Sequence, residues 1–395
     1  MSNFEFIALN NLVQRVKVGF VGSIEKYYCD KEHGKLLLRT SNLSGAGIDF
    51  NDVKYITEDF YKRNQKSQLK KYDLLIARHG DNGKADIYEA DEPAQALNVV
   101  IVEPDFSKIS PYLLRYFFEL PYVHKQIKGD VGGSVQGVIN TKQISDLIIP
   151  INHSLNYSKI ENTLRILEQK IDNNNKTICE LEKMAKTIYD YWFLQFEFPN
   201  EEGKPYKTSG GKMVWNKELK REIPEEWKSG CLEEMIEICN GKDHQNLEVG
   251  EIPVYGSGGI LRYVNKNLYY GESVLIPRKG TLNNVIYVDE PFWTVDTMFY
   301  TKMKKKDSAL FVYYTVKLFD FEKLNTGTGV PSMTSSIIYS LKTIIPDENI
   351  LEAFNSKVCP LYKQIQHNKK ENQELTSLRD FLLPLLMNGQ VSFKE

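Results

Sequence analysis

The stretch "LEQKIDNNNKTICELEKMAKTIYDYWF" (Leu167–Phe193), near the middle of a 395-residue chain, predicts one long helix with an apolar seam. Its apolar residues alternate spacings of three and four, the heptad pattern of a helix that packs along another helix. The C-terminal stretch Leu361–Met387 has the same pattern, so two long helices are expected to pack together. The predicted seam positions are Leu164, Leu167, Ile171, Ile178, Leu181 and Ile188 in the first helix, and Leu361, Ile365, Leu375, Leu382 and Leu386 in the second.

Polar residues and a proline interrupt these seams. Asn174 and Asn368 occupy seam positions in the two helices. One interpretation is that they set register or direction at some cost in stability; the other is a frayed or solvated turn. Pro360 would remove a main-chain hydrogen bond inside a helix, so the second helix either kinks there or begins just after it.

Two capping boxes predict where the long helices start. Ser158 with Glu161 has the spacing of such a box before the first helix, and Asn349 with Glu352 stands in a similar relation before the second. In a capping box the two side chains satisfy main-chain N–H groups at the helix N-terminus. Helices are therefore expected to begin at these positions.

The rest of the chain repeats itself in the same order. Each copy has a short apolar strand ending in Arg, a polar residue and Gly. It then has Ile-Tyr with Asp-Glu-Pro, and then a segment that ends in Ile-Ile-Pro. The chain is therefore expected to be a duplication in which each globular unit is followed by a long helix. The matching segments are "DLLIARHG" (Asp73–Gly80) with "SVLIPRKG" (Ser273–Gly280), "IYEADEPAQALN" (Ile87–Asn98) with "IYVDEPFWTVD" (Ile286–Asp296), and "GGSVQGVINTKQISDLIIP" (Gly132–Pro150) with "TGVPSMTSSIIYSLKTIIP" (Thr328–Pro346).

Outside these landmarks the two copies differ. The first has "KLLLRTSNLSGAGIDF" (Lys35–Phe50), where the second has "EIPVYGSGGILRYVNKN" (Glu251–Asn267). Similar scaffolds with divergent surfaces indicate two related modules that bind two different things.

Composition places the chain among ordinary globular proteins, with 42% hydrophobic and 26% charged residues. A net charge of -2 argues mildly against a free-standing nucleic-acid binder but allows a locally basic cleft. The five cysteines are scattered without a CxxC, so neither a disulfide framework nor a zinc site is expected. No apolar run approaches the roughly 20 residues that span a bilayer. A cytoplasmic protein without a membrane partner is expected.

Catalytic motifs are weak throughout. "DEPF" (Asp289–Phe292) differs from the tetrapeptide that holds a flipped base in amino-methylating enzymes, and a turn between strands is favoured. "GSGG" (Gly256–Gly259) is not followed by a helix pattern, so a loop is favoured over a phosphate site. We therefore expect no catalytic residues and no metal ligands. An enzyme with an unfamiliar cofactor site, or a structural adaptor unrelated to DNA, stays an alternative.

Four segments together carry a family resemblance over essentially the whole chain. They are "GGSVQGVINTKQISDLIIPIN" (Gly132–Asn152), "LEKMAKTIYDYWFLQFEFP" (Leu181–Pro199), "IPEEWKSGCLEEM" (Ile223–Met235) and "LTSLRDFLLPLLMNGQVSF" (Leu375–Phe393). In this order the chain resembles the DNA-specificity subunit of a type I restriction–modification system. It departs from the pattern at Pro360, in lacking a second copy of Gln136, and in lacking a first copy of the Pro-x-x-Trp at Pro224–Trp227.

The resemblance implies an α/β (α+β) fold with two target recognition domains separated by two long antiparallel coiled-coil helices. The implied segments are a first recognition domain at 1–152, a central helix at 153–198, a linker at 199–223, a second recognition domain at 224–348 and a C-terminal helix at 349–395. Each domain would read one half of a bipartite site in double-stranded DNA. A helix of about 29 residues rises about 43 Å, on the scale of the roughly 34 Å between half-sites one DNA turn apart.

The resemblance also implies partners. The helices would dock two methyltransferase subunits that bind S-adenosylmethionine and methylate adenine, and a translocating restriction subunit is a further expected partner. This chain itself would be non-catalytic and bind no cofactor.

Sequence readout requires donors and acceptors at base edges and cations at phosphates. Arg78 and Arg278 end the matching strands, which indicates a shared role such as contact with a phosphate or with a buried carboxylate. For any one candidate, a solvated surface position is the alternative. The candidate DNA-binding residues are Arg39, Thr40, Arg78, His79, Lys84 and Gln136 in the first copy, and Ser257, Arg262, Arg278, Lys279 and Asn283 in the second.

Overall fold

The computed structural model describes residues 4–45, 47–79, 83–129, 138–327 and 329–393. The chain divides into two compact units. Unit 1 comprises Met1–Asp172 and Asn372–Glu395, and unit 2 comprises Asn173–Glu371. Each unit therefore contains one globular region and one segment of each long helix. The sequence-based boundaries, which keep each helix whole, stay a prediction.

Unit 1 combines strands and helices. Its main antiparallel sheet has the strand order β2-β9-β6-β7, β1 pairs with β10, and a further sheet has the order β3-β5-β4-β8. The strands are β1 (Phe4–Ala8), β2 (Val13–Val18), β3 (Tyr28–Cys29), β4 (Gly34–Arg39), β5 (Lys54–Thr57), β6 (Leu74–Ala77), β7 (Ala85–Ile87), β8 (Ala94–Leu97), β9 (Val99–Pro104) and β10 (Ile148–Asn152). The helices are α1 (Glu58–Arg63), α2 (Pro111–Glu119), α3 (Pro121–Gly129), α4 (Thr141–Ser145) and the N-terminal part of α5 (Tyr157–Tyr189).

Unit 2 repeats this arrangement with the order β14-β20-β17-β18, the pair β13-β21, and a sheet β16-β15-β19, and it adds the hairpin β11-β12. A π-helical turn, Asp190–Leu194, follows α5. The strands are β11 (Met213–Asn216), β12 (Arg221–Pro224), β13 (Lys228–Cys231), β14 (Ile236–Asn240), β15 (Val249–Gly256), β16 (Gly259–Val264), β17 (Ser273–Pro277), β18 (Ile286–Val288), β19 (Trp293–Thr294), β20 (Met298–Met303) and β21 (Lys342–Ile345). The helices are α6 (Ala309–Val316), α7 (Ser335–Tyr339) and α8 (Glu348–Met387).

The shared strand order confirms the mixed fold class and the predicted internal repeat. Main-chain hydrogen bonds repeat as well: Leu9 N donates to Leu147 O over 2.8 Å, and Leu232 N donates to Leu341 O over 3.0 Å. These hydrogen bonds make Leu147 the repeat equivalent of Leu341. An alignment of the two Ile-Ile-Pro motifs differs from this register by two residues. Strand pairing agrees with the hydrogen bonds, since Ile148 pairs with Ala8 and Lys342 pairs with Cys231.

Each unit has its own apolar core around its main sheet. Strands β6, β9 and β17 are buried along their whole length, as expected for apolar runs covered on both faces. In unit 1 the core joins the sheet to α2 and to both long helices, through residues such as Phe117, Leu164 and Leu386. In unit 2, Phe311 of α6, Phe193 after α5 and Phe354 of α8 belong to one core.

The predicted cap of the first long helix is wrong by two residues. The helix begins at Tyr157, and the side-chain oxygen of Asn156 accepts a hydrogen bond from Lys159 N over 3.0 Å. Ser158, the predicted cap, therefore lies inside the first turn. Asn and Ser are comparable caps, so only the fold decides between neighbouring candidates.

The second long helix also begins before its predicted cap. It starts at Glu348, and Leu351 N donates to Asp347 O over 3.1 Å, so Asn349 lies within the first turn. The helix continues through Pro360, which excludes a start just after that residue. Pro360 is exposed, so water can satisfy the carbonyl group that the proline leaves without a donor.

The two helix segments of unit 2 run antiparallel. Asn174 is hydrogen bonded to Glu371, whereas Tyr189, farther along α5, packs its ring against Phe354, nearer the start of α8. Asn174 and Asn368 are buried within continuous helix, which excludes the frayed-turn interpretation. Every predicted seam residue is at least half-buried: Leu164, Leu167, Ile171, Ile178, Leu181, Ile188, Leu361, Ile365, Leu375, Leu382 and Leu386.

Candidate nucleic-acid interface

Arg78 and Arg278 follow the equivalent strands β6 and β17 and fasten equivalent segments. Arg78 O accepts a hydrogen bond from Ile139 N over 3.2 Å, and Arg278 O accepts one from Met333 N over 2.8 Å. In both units the segment that leads into α4 or α7 is thus held against the end of the strand. This main-chain role is common to the two copies.

The two guanidinium groups contact main-chain carbonyls. Arg78 Nε donates to Ile139 O over 2.9 Å. Arg278 Nη1 lies 3.5 Å from Asp296 O, and its guanidinium carbon lies 5.8 Å from the centre of the Phe299 ring. These contacts are with main-chain carbonyls, and the shared role of the two arginines, contact with a phosphate or with a buried carboxylate, stays a prediction.

Arg39 and Thr40 hold the loop that follows β4. Arg39 Nη2 donates to the Asp52 carboxylate over 3.0 Å and to its main-chain carbonyl over 2.6 Å. Thr40 Oγ1 donates to Asn98 O over 2.9 Å. Both side chains therefore position the loop, whatever contact they make with DNA.

The remaining candidates of unit 1 lie around the connection between β6 and β7. His79 is exposed. The aliphatic part of Lys84 lies 3.5 Å from where a Cβ on Gly45 would be, so the loop after β4 approaches this connection. Gln136 lies outside the described residues.

Asp86, which holds the loop after β4, was not predicted from the sequence. It is fully buried in β7 and accepts hydrogen bonds from Gly45 N over 2.9 Å and from Gly47 N over 2.7 Å. Both glycines have positive φ, +82° and +129°, which L side chains rarely adopt. The Gly-x-Gly in the loop was the only available signal, and it does not identify the acid that binds it.

Unit 2 places a tight turn where unit 1 has the long loop. Ser257, in the turn between β15 and β16, accepts at its carbonyl from Asn284 Nδ2 over 2.8 Å. A Cβ on Gly280 would lie 2.7 Å from Ser257 Oγ, and the neighbouring Lys279 is exposed. The structure thus places Ser257 against Gly280, the residue that follows Lys279, after the end of β17.

Arg262 and Asn283 have internal partners. Arg262 Nη2 donates to the main-chain carbonyls of His244 and Leu247, the second over 2.8 Å. Asn283 Nδ2 donates to Asp320 over 3.3 Å, and its Oδ1 accepts from Phe321 N over 2.9 Å. These two side chains stabilise the loops that carry the candidate surface.

Unit 1 joins its globular region to the long helices through a partly buried ion cluster. Arg115 of α2 pairs with Glu168 of α5 and, over 2.9 Å, with Glu119. Tyr116 OH donates to Glu168 Oε2 over 3.0 Å, and Arg379 of α8 lies 3.9 Å from Glu168 Oε1. Burial raises the pKa of Glu119 to about 7, although Arg115 and Arg379 favour its charged form.

Unit 2 makes the corresponding junction from aromatic residues. Tyr362 OH of α8 donates to Tyr314 OH of α6 over 3.0 Å, and Tyr189 OH of α5 lies 3.0 Å from Thr315 Oγ1. The rings of Tyr189 and Tyr314 stack with 5.2 Å between their centres. The two junctions therefore use different chemistry.

Over the ranges that the structure describes, no group of three or more His, Cys, Asp and Glu side chains could hold a metal ion. Across those same ranges, none of the helices combines the length and apolarity of a membrane span.

Comparison with known proteins relates both halves of the chain to one family. A family model described as "Type I restriction modification DNA specificity domain" matches residues 5–183 and 224–377. Each matched segment contains one globular region and part of the long helix that follows it.

Curated relatives agree with this match. The "Type I restriction enzyme MjaIX specificity subunit" of Methanocaldococcus jannaschii is 25% identical over 74% of this chain and 71% of its own length. The "Putative type I restriction enzyme MjaX specificity subunit" of the same organism is 23% identical over 99% of this chain and 94% of its own length.

A solved structure has the same fold. The S subunit of a type I restriction–modification system from M. genitalium superposes with a TM-score of 0.61, covering 98% of this chain and 96% of that one. Sequence identity is 16%, so this likeness concerns the fold alone.

Proposed function

Because the chain belongs to the type I restriction–modification DNA specificity family, we propose that it is a specificity subunit whose two globular regions each read one half of a bipartite site in double-stranded DNA. The observation that carries this proposal is a repeated scaffold with unlike loops. The strand orders match, yet a long loop held by Asp86 in unit 1 is replaced by the tight turn at Ser257 in unit 2. Equivalent scaffolds with different reading loops suit two different half-sites.

Under this proposal, the side chains at the ends of β6 and β17 face DNA. His79 and Lys279 are exposed there, next to Arg78 and Arg278. The two arginines at equivalent positions suit contacts with phosphates, which position a protein on DNA without reading sequence. Base readout then falls to the loops that differ between the units, in agreement with the division of roles in known protein–DNA complexes.

The long helices act as the spacer between half-sites. Helix α5 has 33 residues and α8 has 40, and at about 1.5 Å per residue each is longer than one turn of DNA. Burial of the seam residues supports a stiff helix pair, which a spacer requires.

The chain itself is proposed to be non-catalytic and to bind no cofactor. Two methyltransferase subunits would carry S-adenosylmethionine and methylate adenine in the site, and a translocating restriction subunit would join them in the cytoplasm. The small net charge of -2 fits a subunit that binds DNA tightly only when its partners complete the grip.

The decisive experiment maps methylated adenines across the genome of the source cell, with this chain present and deleted. We expect methylation at one bipartite motif with a fixed spacer, lost on deletion. Methylation that is unchanged by deletion, or that occurs at a single uninterrupted motif, would contradict the proposal.

An enzyme and an adaptor remain as alternatives with distinct outcomes. Transfer of labelled methyl groups to DNA by the purified chain alone would favour an enzyme. Absence of any DNA shift, even with methyltransferase partners present, would favour an adaptor.

A further inference from the structure

The two junctions between globular region and helices occupy equivalent positions. Counted from the first residue of α2 and of α6, Arg115 corresponds to Tyr313 and Tyr116 to Tyr314. The tyrosine is thus kept in both copies, whereas its neighbour is an arginine in unit 1. In each unit the hydroxyl of the kept tyrosine is hydrogen bonded to the long helix that follows its globular region.

The helix residues of the junctions correspond as well. In the register set by Leu147 and Leu341, Glu168 is equivalent to Tyr362, and Arg379 is equivalent to Ala185. A cluster of Arg115, Glu168 and Arg379 in unit 1 thus replaces aromatic and small residues in unit 2. The contact between globular region and long helices therefore includes ion pairs in unit 1 and packed aromatic rings in unit 2.

The ion cluster is largely withdrawn from water. The side chains of Arg115, Glu168 and Arg379 are 6%, 24% and 14% exposed. Charge pairs withdrawn from water add little net stability, but a displaced partner leaves an uncompensated charge, so departures from one arrangement are penalised strongly. Such a cluster therefore holds one orientation of α2 on the helices.

A cleft lies at the cluster. It encloses about 510 Å³ and is lined by Phe50, Glu89 and Ala90 of the globular region and by Gln169 and Asp172 of α5. Arg115 and Glu168 themselves line this cleft, and Arg115 Nη1 also donates to Gly45 O of the loop after β4 over 3.3 Å. Beside the apolar core, the cluster therefore links both α2 and this loop to α5.

We propose that Arg115, Glu168 and Arg379 are positioning residues that set the orientation of the first recognition region on the helix pair and thereby the exact spacer at which its half-site is accepted. This inference rests on the proposed bipartite readout. These residues do not touch bases; they act through the angle of the region that carries the reading loops.

The test compares two variants of the full chain in its native complex by mapping methylated adenines. Arg115→Ala with Glu168→Ala removes both members of the pair, and Glu119 loses its Arg115 partner in this variant as it does in the control below. We expect both half-site sequences to be unchanged, and methylation at spacers one base pair longer or shorter to rise by about tenfold, which corresponds to a loss of about 1.4 kcal/mol of geometric preference.

The matched control replaces the charged residues of the cluster by their equivalents from unit 2 instead of removing the side chains. Arg115→Tyr, Glu168→Tyr and Arg379→Ala install in unit 1 the residues that unit 2 has at Tyr313, Tyr362 and Ala185. We expect this variant to fold and to recognise the same two half-sites. Methylation at altered spacers should rise, but less than in the double alanine variant.

Hydrogen exchange on the full chain without DNA gives a second readout. Amides of α2 (Pro111–Glu119) should exchange faster in the double alanine variant, whereas those of α6 (Ala309–Val316) should not change. Unchanged exchange in α2 together with an unaltered single spacer would overturn the inference, as would a change in the half-site bases. Absence of a bipartite motif in the unaltered complex would instead contradict the proposed function.

Discussion

Asn174 of α5 donates through Nδ2 to the Glu371 carboxylate of α8 over 2.6 Å, joining the two helix segments of unit 2 across an otherwise apolar seam. Both Asn174 and its repeat equivalent Asn368 are buried. A buried polar residue in a heptad seam favours one register and one partner at some cost in stability.

Replacing Asn174 by Leu should therefore stabilise the helix pair and weaken its specificity. Hydrogen exchange of the unit 2 helix amides is expected to slow, and light scattering after gel filtration is expected to reveal self-association. The neighbouring Asn173 is exposed, so Asn173→Leu is the matched control and should change neither. A strictly monomeric Asn174→Leu chain would argue against a role in partner choice.

Leu164 and Ile166 form a second matched pair on α5. Leu164 is fully buried in the unit 1 core, whereas Ile166 is 63% exposed. Leu164→Ala should destabilise unit 1 by about 2–5 kcal/mol because it leaves a cavity, and Ile166→Ala should stay within about 0.5 kcal/mol. Urea denaturation followed by hydrogen exchange in unit 1 measures the loss of unfolding free energy in both variants. Equal losses would show that the seam is not packed as described.

Asp73, just before β6, should make the stability of unit 1 depend on pH. Burial raises its pKa from 3.8 to about 6, although Lys70 N donates to its carboxylate over 2.9 Å. Between these values the folded chain holds a proton that the unfolded chain has released, so stability falls as pH rises from about 4 to about 6. Asp73→Asn should flatten this dependence and slow exchange of the β6 amides at pH 7, by an amount on the order of 1–2 kcal/mol. An unchanged pH profile would assign the dependence to other groups.

Arg78→Ala should weaken DNA binding by the complex without changing half-site preference, if Arg78 contacts a phosphate. The slope of log affinity against log salt should then fall by about 1. Arg78→Lys keeps the charge but not the planar donor group that binds Ile139 O, so it should retain the slope. Titration by fluorescence anisotropy at several salt concentrations measures both variants; unchanged affinity for Arg78→Ala would remove this residue from the interface.

Insertion of one heptad into each long helix should lengthen the recognised spacer. Insertions after Asp172 and after Glu371 fall where the chain passes from one unit to the other within each long helix. Seven residues add about 10 Å of helix, which corresponds to about three base pairs at roughly 3.4 Å each. Methylation mapping should return the same two half-sites with a longer spacer; altered half-sites with the original spacer would contradict the role of the helices.

Local patterns were sufficient for much of this architecture. Heptad spacing located both long helices, and the repeated strand, Arg and Gly segments located β6 and β17 within a duplicated scaffold. Both helix caps were missed by two residues, since Asn156 and Asp347 lie two positions before Ser158 and Asn349 and each can cap a helix. Several candidate DNA contacts, among them Arg39 and Arg262, were recognised as polar, but their internal partners were not foreseen.

The sequence by itself determined the repeat, the helices and the family, because these depend on residues close together in the chain or on the order of short motifs. Only the tertiary structure decided which charges are used internally. Asp86 binds amides about forty residues away, Arg115 meets Glu168 at a separation of 53 residues, and Asn174 meets Glu371 at 197. No local pattern encodes such pairs, because each depends on how distant elements pack, and packing rather than residue type decides whether an arginine faces DNA or a carboxylate.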